Sequence, residues 1–235
     1  MFVPLKDDNP LYVIRFQYVT LALVIANVLA FLVTGPLAGD AAAAFTMGFG
    51  MTPSDLLNHG AQPSAGWHPV AAPVTLVTYQ FLHAGWFHLL GNMAFLWVFA
   101  DNVEDAYGPL NFAIFYLLCG VVAGLAHALM GPSSVAPLIG ASGAVAGVLG
   151  AYLVLYPRAR VWILLFFPIP LKIPSLIVLG GWIALQLVSL SVMADTDQPV
   201  AFGAHIGGFA AGVAITLLLR KWLRIRRPTP ATGQT

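Results

Sequence analysis

The sequence predicts an all-α polytopic membrane protein, a bundle of six transmembrane helices, and three observations carry that prediction. Only 8% of the 235 residues are charged and 59% are hydrophobic. An ordinary soluble domain carries about 25% charged residues, so too few are present to cover a water-facing surface. Apolar runs near the ~20 residues needed to cross about 30 Å of hydrocarbon recur along the chain. The basic residues also fall in four places only: Lys6 and Arg15; Arg158 and Arg160; Lys172; and the stretch from Arg220 to Arg227. Cytoplasmic loops carry the Lys/Arg excess, so these clusters belong on one side of a bilayer.

Met1 to Pro10 holds Lys6, Asp7 and Asp8. It is too polar for a signal-peptide core and reads as a cytoplasmic lead-in, residues 1–12. A membrane domain over residues 13–222 follows, and then a basic cytoplasmic tail, 223–235. Val13 to Val33 is the first span, ended by Gly35-Pro36. Residues 35–80 hold five prolines, two aspartates, His59 and His68 between short apolar pieces. They read as an external loop without a span, with Trp67 as an interfacial anchor. The two histidines lack a tight metal-ligand spacing, so no metal is expected there.

The second span runs from Trp86 to Ala100 and is stopped by Asp101, Glu104 and Asp105. Gly108-Pro109 turns the chain into a third span, Asn111 to Met130. The fourth runs from Ala141 to Tyr156, ahead of Pro157. Val161 to Phe167 is short and bounded by Pro168, Pro170 and Pro174, so it reads as an interfacial connection. Ser175 to Met193 is the fifth span, Asp195 to Pro199 an outside turn, and Ala201 to Leu219 the sixth span. Six spans put both termini on one side, and every basic residue then falls on the cytoplasmic face. Cys119 stands alone in an apolar run as a small buried hydrophobe, and no disulfide is available.

Spans two, four and six share a direction, so their amino-terminal ends lie in the outer leaflet. The unusual polar residues gather at those ends: His88 and Asn92 in span two, Ser142 opening span four, and His205 early in span six. Polar groups within spans are costly and face the bundle interior or a water-filled cavity. Gly143 and Gly147, like Gly203, Gly207 and Gly208, Gly212, are spaced for close helix approach. If those faces meet, Ser142 and His205 come within the ~2.6–3.2 Å of a nucleophile and its base. His88 and Asn92, at i and i+4, share a helix face. With the backbone N–H groups at the start of span four, they could hold a tetrahedral oxyanion. Each residue also has a plainer reading: Ser142 as a helix cap, Asn92 as interhelical glue, His205 as a packing hydrogen bond. His83 belongs to the rim of such a site or to its loop, and His127 reads as structural.

Gly140-Ala141-Ser142-Gly143, the stretch from His83 to Asn92 and Ala204-His205-Ile206-Gly207-Gly208 together resemble the rhomboid intramembrane serine proteases. The resemblance covers residues 75 to 215, in order and on the matching spans. It implies a Ser142–His205 dyad without an aspartate and an oxyanion hole of His88, Asn92 and the Ser142 amide. The implied substrate is a transmembrane segment of a membrane protein, cut near the outer face by acyl transfer. Neither cofactor nor metal is required. The implied partners are the protein substrate and the lipid bilayer, with no nucleic acid. Glu104 and Gly108 match the family's Glu-x-x-x-Gly and read as a structural turn.

The six-span form resembles the basic bacterial one, which implies a multi-pass protein of a bacterial inner membrane. Two features depart from the family. A Trp-Arg pair is common in its first external loop, but no arginine lies between Arg15 and Arg158. An aromatic residue often stands four positions after the nucleophile, against the histidine; here the position is Ala146, so the sequence leaves the orientation of His205 open. A silent relative that only binds transmembrane helices usually lacks the serine or the histidine, and both are present. A transporter would show internal repeats or midplane charges, and neither is evident.

Overall fold

The computed structural model describes residues 2–35, 37, 39–57, 67–165, 169–192 and 202–223. These residues are mostly helical, but a small sheet corrects the all-α expectation. Strand β1, Phe2–Asp7, pairs antiparallel with β2, Arg160–Leu165, which pairs antiparallel with β3, Pro170–Pro174. The lead-in and the supposed interfacial connection are therefore one structure. The β2 run is rich in branched and aromatic residues, and the prolines of β3 stand at the ends of an edge strand, where no ladder bond is lost. Trp162 is the cross-strand partner of both Lys6 and Lys172, whose ammonium groups lie 5.9 and 5.5 Å from its ring centroid. Lys172 also pairs with Asp8 at 2.5 Å.

Helix α1, Tyr18–Thr34, starts five residues later than the apolar run suggested. The external loop is not bare chain but holds short helices: α2, Gly39–Phe49; α3, Pro53–Leu57; and α4, Ala72–Thr78, which passes into a 3₁₀ turn over Tyr79–Phe81. Within it Trp67 packs on Phe45 and Phe49 while remaining half-exposed. His59 and the turn from Asp195 to Pro199 lie outside the described residues, as does most of the tail.

Helix α5, Trp86–Tyr107, runs straight through Asp101, Glu104 and Asp105 and ends only at Gly108, whose φ of 77° closes it. The acids do not stop the helix because they serve a different end. Glu104, fully buried, accepts N–H bonds from Val19 and Thr20 and the Thr20 hydroxyl at 2.8–3.0 Å. It thus caps the first turn of α1, which has no side-chain cap of its own. Asp105 accepts the N–H groups of Tyr12, Val13 and Ile14 at 2.7–2.9 Å. Those bonds hold residues 12–14 outside the helix, which is why α1 begins late.

Pro109 opens α6, Pro109–Met130, at the first helical position that proline favours. Then come α7, Ser142–Leu155; α8, Ser175–Val192; and α9, Phe202–Leu219. Among the described residues, α6, α8 and α9 are long and apolar enough to cross a membrane, and α1 and α7 are shorter apolar helices. Large apolar side chains face outward: Phe87, Leu110, Leu129 and Leu218 are each at least 70% exposed. In water that surface would be a liability; in lipid it needs no partner.

Helix α7 is the most enclosed, with every residue from Gly143 to Tyr152 buried. It lies against α9 at backbone distance. A Cβ on Gly208 would overlap the Gly143 carbonyl oxygen, and one on Gly212 would overlap that of Gly147. Helix α8 is the opposite, burying only Ser175, Val178, Leu179 and Gln186.

At its far end α7 is tied to the sheet, where the Tyr152 hydroxyl donates to Asp7. Burial raises the Asp7 carboxyl to about 6 from an ordinary 3.8. A raised carboxyl binds its proton more tightly folded than unfolded. Its contribution is therefore complete below about 3.8 and lost as pH rises through about 6, on the order of 2–3 kcal/mol. Asp7→Asn keeps an acceptor for Tyr152 and removes the charge. Its stability advantage over the wild type is expected to grow from pH 4 to pH 6 and then level off. Thermal melting in detergent across that range checks this, and a pH-independent difference contradicts it.

Candidate active site

The chain reaches Ser142 through Gly140, which has φ 121°, a backbone state that favours glycine. A side chain there is also barred by contact, because a Cβ would sit 2.7–2.8 Å from Cε1 and Nε2 of His88. The Gly140 N–H donates to the Tyr79 carbonyl at 2.9 Å, which ties the approach to the 3₁₀ turn. Ser142 is the first residue of α7, past the cap position held by Ala141, and its hydroxyl makes no cap bond. It meets Nε2 of His205 at 2.9 Å. The glycine contact of Gly208 on Gly143, one residue beyond Ser142 and three beyond His205, is what permits that distance.

The orientation of His205, which Ala146 left open, comes from α8. Gln186 Oε1 lies 2.8 Å from His205 Nδ1, and the Trp182 ring lies beside the imidazole with centroids 5.7 Å apart. Sequence reasoning passed over both. The available signal was Gln186 itself, a strongly polar side chain within an apolar span and four residues after Trp182.

His88 and Asn92 project from the first two turns of α5 toward the same point. The Ala84 N–H meets His88 Nδ1 at 3.3 Å, so Nδ1 is the acceptor and Nε2, the atom beside Gly140, carries the proton. Asn92 is buried and donates one amide hydrogen to the His88 carbonyl at 3.1 Å, leaving the second. The Ser142 amide, at the first position of a helix, has no intrahelical acceptor. His88, Asn92, Ser142 and His205 all line one cavity of about 280 Å³, floored by apolar residues including Phe95 and Leu149. A second cavity of about 530 Å³ adjoins it at Phe95, Trp182 and His205 and runs between α5 and α8 to Phe2, Ile163 and Ile173 of the sheet.

His83 stands behind this group, buried, its ring edge-on to His88 at 5.0 Å. Neither of its nitrogens has a hydrogen-bond partner among the described residues. Burial pushes its imidazole down to about 4, so at neutral pH it is an uncharged backing for His88. His127 lies away from the cavity, where its Cα backs the start of α9 at Gly203. Among the described residues no three His, Cys, Asp or Glu side chains gather to hold a metal ion.

Residues 71–222 match the family model described as the Rhomboid domain. The chain is 32% identical over 152 residues to Rhomboid protein 1, mitochondrial, of Saccharomyces cerevisiae, covering 61% of this chain and 41% of that one. It is 30% identical over 166 residues to Rhomboid-like protein 11, chloroplastic, of Arabidopsis thaliana, covering 66% and 56%. Over 142 residues it is 32% identical to Rhomboid protease GluP of Bacillus subtilis, covering 60% and 26%. The matched stretch thus spans about half of the length of these relatives, or less.

Proposed function

Because the chain belongs to the rhomboid family, and is thus an integral membrane protein of a protease family, we propose that it is an active serine endopeptidase cutting transmembrane protein segments. The observation that carries the reading is the 2.9 Å contact of Ser142 Oγ with His205 Nε2 inside a cavity that His88 and Asn92 also line. In this reading Ser142 Oγ attacks the scissile carbonyl carbon while its proton passes to His205 Nε2. The C–N bond then breaks as His205 returns that proton to the leaving amine. Water adds to the acyl-enzyme, losing a proton to His205, and the Ser142 ester bond breaks to free the new carboxyl terminus and the serine.

The oxyanion formed in both steps is held by the protonated Nε2 of His88, the free amide hydrogen of Asn92 and the Ser142 N–H, at the positive end of α7. Six spans with both termini cytoplasmic fit the reading, since they put the starts of α5, α7 and α9 in one outer leaflet. The trough between α5 and α8 supports a substrate that is itself a helix or an unwound part of one, because its walls are apolar.

The test is cleavage of a single-span reporter protein reconstituted with the purified chain in lipid vesicles. Cleavage near the outer face is expected, and an uncut reporter refutes the proposal. His88→Ala and Asn92→Ala are each expected to lower kcat by roughly 10²–10³-fold with little change in KM, because an oxyanion donor acts mainly on the transition state. Equal kcat in variant and wild type removes that donor from the mechanism.

A further inference from the structure

Helix α8 is only lightly packed into the bundle. It buries four residues, and large apolar side chains such as Ile177, Leu185 and Val188 stand more than half exposed on it. Yet one of its four buried residues is Gln186, a polar side chain that apolar surroundings make costly unless it is bonded. Its partner is His205 Nδ1 at 2.8 Å, and His205 Nε2 in turn meets Ser142.

An amide oxygen can only accept a hydrogen bond. The bond therefore fixes the hydrogen on Nδ1 and leaves the Nε2 lone pair facing the Ser142 hydroxyl. Among the described residues, the ionisable groups acting on His205 are His88 on α5 and His127 on α6, both histidines that cannot act as a carboxylate would. The Trp182 ring, one turn before Gln186 on the same face of α8, limits how far the imidazole can swing. Ala146, on the serine's own helix, has no side chain to do so.

The geometry points to Gln186 as the positioning residue of His205, the acceptor that sets the ring's tautomer and orientation for proton transfer from Ser142. The role rests on the protease reading, and it makes the constellation Ser142–His205–Gln186, drawn from α7, α9 and α8. It also ties competence to helix placement. Displacing α8 away from α9 removes the acceptor, so proton transfer requires α8 to be seated.

Isosteric substitutions separate positioning from packing. Gln186→Met keeps the shape and removes the acceptor; Gln186→Glu keeps an acceptor and changes the charge. Wild type, both variants and Ser142→Ala are compared on a labelled single-span reporter in vesicles, with thermal melting as a check on folding. Gln186→Met is expected to melt like the wild type, lower kcat by roughly 10²-fold at unchanged KM, and slow fluorophosphonate labelling of Ser142 in proportion. Gln186→Glu is expected to retain more activity than Gln186→Met, the reverse of what a packing role predicts.

The spectroscopic counterpart uses ring-¹⁵N-labelled histidine, with the His205→Ala spectrum identifying the His205 signals. Wild-type signals are expected to report hydrogen on Nδ1, and those of Gln186→Met to lose that preference. A Gln186→Met protein with wild-type kcat, or with an unchanged His205 tautomer, overturns the positioning role while leaving the protease reading intact. A wild type without Ser142-dependent cleavage overturns both.

Discussion

Ser142→Ala and His205→Ala are each expected to abolish cleavage of a transmembrane reporter, lowering the rate by roughly 10⁴–10⁶-fold. In serine hydrolases the two groups act as a unit, so removal of either costs nearly as much as removal of both. The Ser142–His205 contact of 2.9 Å is the geometric ground for treating them so here. Removing the hydroxyl leaves His205 Nε2 without its partner in the cavity that both residues line, a loss of about 1 kcal/mol, so folding should survive. The double variant is expected to be no slower than either single one. Retention of more than a tenth of wild-type cleavage by either variant would sink the dyad.

The second large effect lies outside the dyad. Gly208→Ala adds one methyl group where the Gly143 carbonyl oxygen already stands. Backbone cannot yield as a side chain tip does, so α9 must move away from α7, at about 1–3 kcal/mol or more. The displacement falls one turn from His205 and beside Ser142, and a shift near 1 Å can cost about 10²-fold in rate. A lower melting temperature and a kcat reduced by at least that factor are expected together. Gly91→Ala is the control, since a Cβ there meets nothing within 4 Å; it should leave stability nearly unchanged. Wild-type kcat in Gly208→Ala would mean that the glycine contact does not set the spacing of the two groups.

These contacts show what a sequence can disclose and what it cannot. Helices α6, α7, α8 and α9 stand within two residues of the expected spans over the described residues, because a long apolar run has few alternatives in lipid. Four polar residues at three helix starts were legible as one group for the same reason, since each would be costly elsewhere. The sheet was not legible. Its β2 run is short and flanked by prolines, and its partner β1 lies more than 150 residues away, so no local pattern reports the pairing.

Asp101, Glu104 and Asp105 misled in another way. Charge near a bilayer reads as an exit, but Glu104 and Asp105 are buried as acceptors for backbone N–H groups far along the chain. Gln186 was visible as a residue and invisible as a contact. Only the packing of α8 against α9 brings its side chain to His205.

In the proposed mechanism Ser142 is a nucleophile primed by His205, and not a helix cap beside a packing histidine. Reaction of the purified protein with a fluorophosphonate probe, followed by mass spectrometry of the adduct, tests it without any substrate. The expected result is one adduct on Ser142 in the wild type and none in His205→Ala. An unlabelled wild type, or labelling that persists undiminished in His205→Ala, would contradict it.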